Sequence, residues 1–435
     1  MRSAVCGFVV VAMFSIVGVM GCRETTKDAT AYCRSGDAYR EKGELDKAIA
    51  DYTEAIRLEP KDATAYFARG DAYREKGELD KAIADYTEFI RLDPRNPTAY
   101  RNRGDAYARK GEVDKAIADY TEAIRLDPKN PTAYRNRGDA YREKGELDKA
   151  IADYTEAIRL DPKNATAYHN RGVAYAMKDE WDTAIANYTE AIRLDPKSAN
   201  SYCDRGMAHV KKGQWEMGFA NFTEAIRLDP KNATAYHNRG VAYAMKGEWD
   251  KAIANFTEAI QLDPKYAKAY CGRGVAYVAK GDLENAIADL TKAIRLSPES
   301  AEAYYGRGIA YRQKGERDRA IADLTEAIRL DPKNAQAYFF RGCVFIGKGE
   351  RQKALADLTE AIRLDPKHAD AYFIRGHVYF GYAELEMAIA DYTEAIRLNP
   401  NARTYFLRGL AYAAKGEKLK AEQDFIRAEY LMSKP

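Results

Sequence analysis

The chain has 435 residues, 31% of them charged and 46% hydrophobic, with a formal net charge of only +3 at pH 7. The charge is spread evenly, which excludes the basic stripe that a nucleic-acid reader needs.

Residues 1–21 stand apart from the rest. Arg2 supplies the one positive side chain, and Ala4 to Met20 carries no charge. This is the pattern of an export signal, with a charged start, an apolar middle and a small-residue exit. The ending Val19-Met20-Gly21-Cys22 resembles the lipobox of bacterial lipoproteins. That resemblance implies a lipidated Cys22, a short tether over 22–28, and a product anchored to a membrane of the bacterial cell envelope. Arg23 after the cysteine points to the outer membrane or periplasmic side rather than the inner membrane. An ordinary cleaved signal and an uncleaved anchor are the alternatives. The anchor is disfavoured because a spanning helix needs about 20 apolar residues.

From residue 29 one stretch keeps returning. Prolines recur from Pro60 to Pro400 and tyrosines from Tyr32 to Tyr372, always 34 apart. A last tyrosine, Tyr405, comes one residue early. Twelve repeats result, eleven over 29–401 and a twelfth over 402–435. Positions within a repeat are counted from 1 to 34, with that tyrosine at position 4.

Each repeat predicts two helices. Helix A starts near position 1, where Asn96 and Asn130 precede Pro97 and Pro131 as N-caps before a first-turn proline. It ends near the glycine of position 15, as at Gly43 and Gly77, with Asp179 and Ala383 as exceptions. Helix B runs to the Asp-Pro pair, since proline cannot continue a helix. Positions 4, 8 and 11 are expected to form the buried face of helix A, and positions 17, 20, 21, 24, 27 and 28 that of helix B.

In the fourth copy Tyr134, Gly138, Tyr141, Ala150, Tyr154, Ala157 and Pro162 occupy the marked positions of a known pattern. The chain resembles the tetratricopeptide repeat. The resemblance implies an all-α, right-handed superhelical solenoid of about twelve helix-turn-helix repeats. One departure is the arginine at position 7, which runs from Arg69 to Arg408 and is broken only by Ser35. Position 23 is always Asp or Asn, so an Arg–Asp contact between helices A and B is expected. The alternative is an arginine stem over apolar surface with its charge in water.

Nothing in the sequence marks catalysis. There is no phosphate-binding glycine loop, no nucleophile elbow and no metalloprotease helix motif. His169, His237 and Cys203 sit at position 5 of neighbouring repeats, too far apart to converge on one metal. No cofactor, metal, nucleic acid or small-molecule substrate is expected, and Cys33, Cys203, Cys271 and Cys343 are expected as free thiols. Trp181, Trp215 and Trp249 share position 17 and read as packing residues.

Function is to be sought where the repeats differ. The resemblance implies that helix A exposes positions 2, 5, 6, 9, 12 and 13 along a concave face. Repeats 2–4 then present charge, with Asp71, Arg74, Asp105 and Asp139 among them. Repeats 9–12 present Tyr305, Ile309, Phe339, Phe340, Ile346, Phe373, Ile374, Phe380, Phe406 and Leu407. Contiguous exposed apolar surface marks a binding site, so these ten residues are the candidate protein or peptide contacts. The expected product is a non-catalytic scaffold or assembly factor that binds a protein or extended peptide. A structural array acting by surface or self-association is the alternative, and the identity of segment 163–178 with 231–246 suits it. Finally, Glu422 and Glu429 replace the apolar residues of positions 21 and 28 in repeat 12. They predict a polar capping face.

Overall fold

The structure, a computed structural model, describes residues 28–433. The leader, Cys22 and most of the tether lie outside the described residues. Among those residues there are 24 helices and no strand, from α1 (Ala29–Glu41) to α24 (Lys418–Met432). Each repeat supplies two consecutive helices. The chain divides into two compact units, Met1–Ala174 and Tyr175–Pro435. Within each unit consecutive helices pack on one another, so the architecture is an all-α repeat solenoid.

Local chemistry sets the helix ends. In α3 (Ala63–Lys76) the Asp62 side chain accepts the Thr64 N–H at 2.9 Å. In α5 (Pro97–Arg109) the Asn96 side chain accepts from Thr98 at 3.0 Å, ahead of Pro97. These caps satisfy amides that have no partner inside the helix. Helix A then closes on a left-handed residue, Gly77 with φ of +85° in repeat 2. Asp179 and Ala383 adopt the same region, φ 60° and 59°, without being glycine. A side chain there is strained.

Between repeats, the core differs from the expected pattern in helix A. Positions 3, 8 and 10 are the buried ones: Ala65, Gly70 and Ala72. The tyrosines of positions 4 and 11 are only half-buried. The alanines carry the stacking, since Ala72 packs against Ala48 and Tyr52 of the preceding repeat and Ala65 against Ala55. The tyrosines instead flank a cation, with the Arg69 guanidinium 5.8 Å from the Tyr66 ring and 5.9 Å from Tyr73. Gly70 is required by close approach, because a Cβ there would lie 2.9 Å from the Tyr86 ring. Trp215 joins the cluster of Cys203, Val210 and Phe222, as a packing residue should.

In α24 both Glu422 and Glu429 are exposed. Leu419 and Ile426, beside them, are exposed by 77% and 61%. This helix surface is therefore mixed, acidic at positions 21 and 28 and apolar at 18 and 25.

Candidate functional site

The position-7 arginine is a clamp. Arg137 donates from Nε and Nη2 to both carboxylate oxygens of Asp153, each at 2.8 Å. The same two-bond geometry recurs at Arg69–Asp85, Arg103–Asp119, Arg307–Asp323 and Arg375–Asp391. Planar guanidinium matches carboxylate in this way, and the charge strengthens both bonds. A second role was not visible in the sequence. Nη1 of Arg137 donates at 3.2 Å to Thr121, which belongs to helix B of the preceding repeat. One side chain thus ties helix A to its own helix B and to its neighbour. The first repeat shows what the arginine does by lacking it. With Ser35 at position 7, Oδ2 of Asp51 is buried without a hydrogen-bond partner.

The acidic residues of repeats 2–4 are not the open charged surface expected. Asp71 is buried. It accepts the Tyr86 hydroxyl at 2.6 Å and the Asn102 amide at 3.0 Å, and Arg40 and Arg74 lie within 3.4 Å of it. Tyr120 and Asn136 share Asp105 in the same manner, and Tyr154 and Asn170 share Asp139. Burial pushes the Asp139 carboxyl above the usual aspartate range.

Position 5 is likewise less open than expected. Cys203, Cys271 and Phe339 are all buried there. Position 34 of the same repeat closes over it. The Phe339 ring lies 4.7 Å from His368, and the His237 ring 5.1 Å from Tyr266. Phe339 is therefore part of the packing and leaves the set of candidate contacts. Burial also raises the thiols of Cys203 and Cys271 to about 12, so neither is a nucleophile at neutral pH.

The other nine candidates retain surface. Phe406 and Ile346 are exposed by 47% and 39%. Tyr305, Ile309, Phe340, Phe373, Ile374, Phe380 and Leu407 are half-buried. The structure brings several of them together. Phe340 lies 6.0 Å from Tyr305 of the preceding repeat, with the Arg312 guanidinium 5.1 Å from its ring. Phe373 is stacked on His377 at 6.5 Å, and Arg403 of the next repeat approaches its ring to 5.3 Å. These are rings with one face packed and a cation at the rim, an arrangement that suits an apolar partner chain carrying polar groups.

Known families fit this geometry. A TPR repeat model matches residues 36–73, 70–111, 104–141, 138–179, 178–213, 206–247, 243–281 and 276–315, and tetratricopeptide repeat models match 301–334, 335–368 and 369–401. The chain belongs to the tetratricopeptide repeat family. A tetratricopeptide repeat protein is in general a non-catalytic scaffold for protein interactions. Among solved structures, a tetratricopeptide repeat protein from Parabacteroides merdae is 22% identical, with a TM-score of 0.49 over 57% of this chain and 98% of that one. Yeast Tom70 is 18% identical, with a TM-score of 0.44 over 93% and 99%. The MamA protein is 30% identical, with a TM-score of 0.36 over 39% and 93%. At these TM-scores none of the three bears on function. No curated protein matches the chain.

Departures from the repeat consensus are thus the informative residues of this tetratricopeptide repeat protein. Position 24 is tyrosine where position 9 is aspartate, in repeats 1–4. It is leucine in repeats 8–10, where position 9 is Val275, Ile309 and Cys343. Every aspartate at position 9 is matched by a tyrosine at position 24, although the tyrosine also stands opposite Val173 and His377 in repeats 5 and 11.

Proposed function

We propose that the chain is a lipid-anchored protein-binding scaffold of the bacterial cell envelope. In this reading Cys22 carries the lipid and residues 23–28 tether the array. A protein or extended peptide binds along the helix A surfaces of repeats 9–12. The observation that carries the binding reading is the run of part-exposed apolar side chains from Tyr305 through Phe340, Ile346 and Phe373 to Phe406. Such a run is costly to leave in water and is retained where a partner covers it. The matching surface of repeats 2–4 is instead occupied by internal Tyr–Asp–Asn contacts.

The test is capture of envelope proteins by the parent chain and by Phe340→Asp with Phe373→Asp. Both rings are half-buried, so helix content by circular dichroism should stay at the parental value while capture falls at least tenfold. Undiminished capture by a folded double variant overturns the reading.

A further inference from the structure

Most junctions between repeats are closed by one rung. The lysine of position 14 reaches the acid of position 18 in the preceding repeat, as in Lys110–Asp80 at 2.5 Å and Lys314–Glu284 at 2.7 Å. The junction between repeats 10 and 11 abandons this device. Tyr382 stands where the lysine belongs, and Gln352 where the acid belongs. Ala383 takes the left-handed turn normally given to glycine, at a φ of 59°. Position 17, apolar in repeats 1–8, is Arg351. Position 13 of repeat 11 is Gly381.

Together these changes open a cleft. A cavity of about 220 Å³ is lined by Ile346, Arg351, His377, Val378, Gly381 and Tyr382. Arg351 Cζ lies over the Tyr382 ring at 4.0 Å and the guanidinium pairs with Glu384, yet its Nε is buried with no hydrogen-bond partner. Gly381 is not demanded by packing, since a Cβ there would meet nothing within 4 Å. A glycine in the last turn of a helix that no neighbour requires leaves room for something else. The space is below the roughly 300–1,000 Å³ of small-molecule sites, so it suits one side chain.

The preceding junction carries half of the same signature. Arg317 occupies position 17 and Gly347 position 13 of the next repeat. Here the glycine is closely approached, since a Cβ on Gly347 would lie 3.2 Å from Arg317 Nε. The adjoining cavity, about 700 Å³, is lined by Glu316, Arg317, Asp318, Arg319, Gly347 and Lys348 among others. Its acids are already engaged, Asp318 by Lys348 and Glu316 by Lys314 and Arg319. Among the described residues no carboxylate lies within ion-pair distance of Arg317, which leaves this recess with a free positive charge.

We infer that the two junctions form a two-part docking site for a peptide segment, with an aromatic side chain in the cleft beside Gly381 and a carboxylate on Arg317. The inference rests on the reading of the chain as a protein-binding scaffold and names the partner's chemistry. It lies at the turn edge of repeats 9–11 and shares only Ile346 with the aromatic surface. Charge complementarity favours an acidic segment, and the cleft's size limits its anchor to one ring.

The test uses the full chain and a set of labelled synthetic peptides, each with one tryptophan and one glutamate separated by zero to six glycine or serine residues. Fluorescence anisotropy should find a spacing that binds saturably. Gly381→Leu fills the cleft from a site with free space and should weaken that peptide at least tenfold, while thermal stability holds or rises. Arg317→Glu should weaken it similarly, and replacing the peptide glutamate by lysine should restore binding to that variant. Binding that survives Gly381→Leu but falls with Phe340→Asp and Phe373→Asp overturns this site and leaves the scaffold reading standing. Failure of every peptide in the set also overturns the site, whereas unaltered envelope-protein capture by the Phe340 and Phe373 double variant counts against the broader reading alone.

Discussion

The Tyr86 hydroxyl donates to Asp71 at 2.6 Å, and both residues are buried. The bond links helix B to helix A inside repeat 2, and Asn102 of repeat 3 closes on the same oxygen at 3.0 Å. A buried carboxylate is tolerable only with such partners. Removing one partner should therefore cost more than removing the whole set.

This asymmetry is measurable in repeat 3, where Tyr120 and Asn136 both donate to Asp105. Asp105→Leu strands a buried hydroxyl and an amide and should destabilise the chain by about 1–3 kcal/mol. Adding Tyr120→Phe and Asn136→Leu should recover at least half of that loss in urea melts. Full additivity of the three substitutions would show that the groups act independently.

The arginine clamp makes a sharper prediction, because the first repeat lacks it. Oδ2 of Asp51 is buried and has no partner opposite Ser35. Ser35→Arg should rebuild the two-bond contact and stabilise the chain, with a coupling to Asp51 of about 0.5–3 kcal/mol, the range for contacting pairs. In repeat 4, Arg137→Lys should behave almost like Arg137→Met, since an ammonium group cannot form the bidentate fork with Asp153. A double-mutant cycle on Arg137 and Asp153 that returned zero coupling would leave the arginine as a stem over apolar surface.

Acid should loosen repeat 7. Burial, and secondarily the charge of Lys268, lowers the His237 pKa from its ordinary 6.5 to about 4. Its Nδ1 is buried without a hydrogen-bond partner. The folded state thus favours neutral imidazole, and the unfolded chain binds the proton more readily. The stabilisation is complete above pH 6.5 and is lost as the pH falls from 6.5 towards 4, by at most about 3 kcal/mol. His237→Phe should flatten the stability profile in that window and leave it unchanged at pH 8. An identical slope in parent and variant would assign the acid sensitivity to other groups.

Cys22 carries the anchoring hypothesis. Cys22→Ser should abolish metabolic labelling by fatty acid and release the chain from the membrane fraction or block its processing. Labelling that persists in the variant would refute lipidation at this residue.

The helix count and the boundaries were readable from the sequence because the 34-residue period marks both caps and the Asp-Pro stop. The Arg–Asp contact was readable as well, since positions 7 and 23 vary so little. Which face of helix A stacks on the preceding repeat was not. Tyrosines at positions 4 and 11 dominate the apolar pattern, yet the fully buried Ala65 and Ala72 do the packing, against Ala55 and against Ala48 and Tyr52. Phe339 was misplaced for a related reason. The period locates position 5, but its burial depends on what stands at position 34, and His368 covers it. The Tyr–Asp–Asn sets were missed although every aspartate at position 9 comes with a tyrosine at position 24. Within one chain, internal repeats serve as their own alignment, and that covariation was the available signal.

The threonine bond of the arginine clamp has a consequence for how the array comes apart. Repeat proteins unfold as linear chains of nearest-neighbour couplings, and they part where a coupling is weakest. Between repeats 5 and 6 the coupling is kept by Arg205 to Thr189 at 3.1 Å and by Lys212 to Asp182. Between repeats 6 and 7 both ties lapse among the described residues. Arg239 donates from Nε to Asn255 of its own repeat at 2.7 Å and makes no bond to Thr223. Lys246 pairs with Glu248 of its own repeat and leans over the Phe219 ring, leaving Glu216 unreached. What holds this junction is the packing of Cys203, Phe222 and Ala225 against Ala235 and Ala242, the Asn238 amide on the Cys203 sulfur at 3.2 Å, and the stack of Phe219 on Tyr243, 4.4 Å between ring centres. Pulled from its ends or warmed towards its midpoint, the array has its fault line here, and amide exchange should quicken first on either side of it.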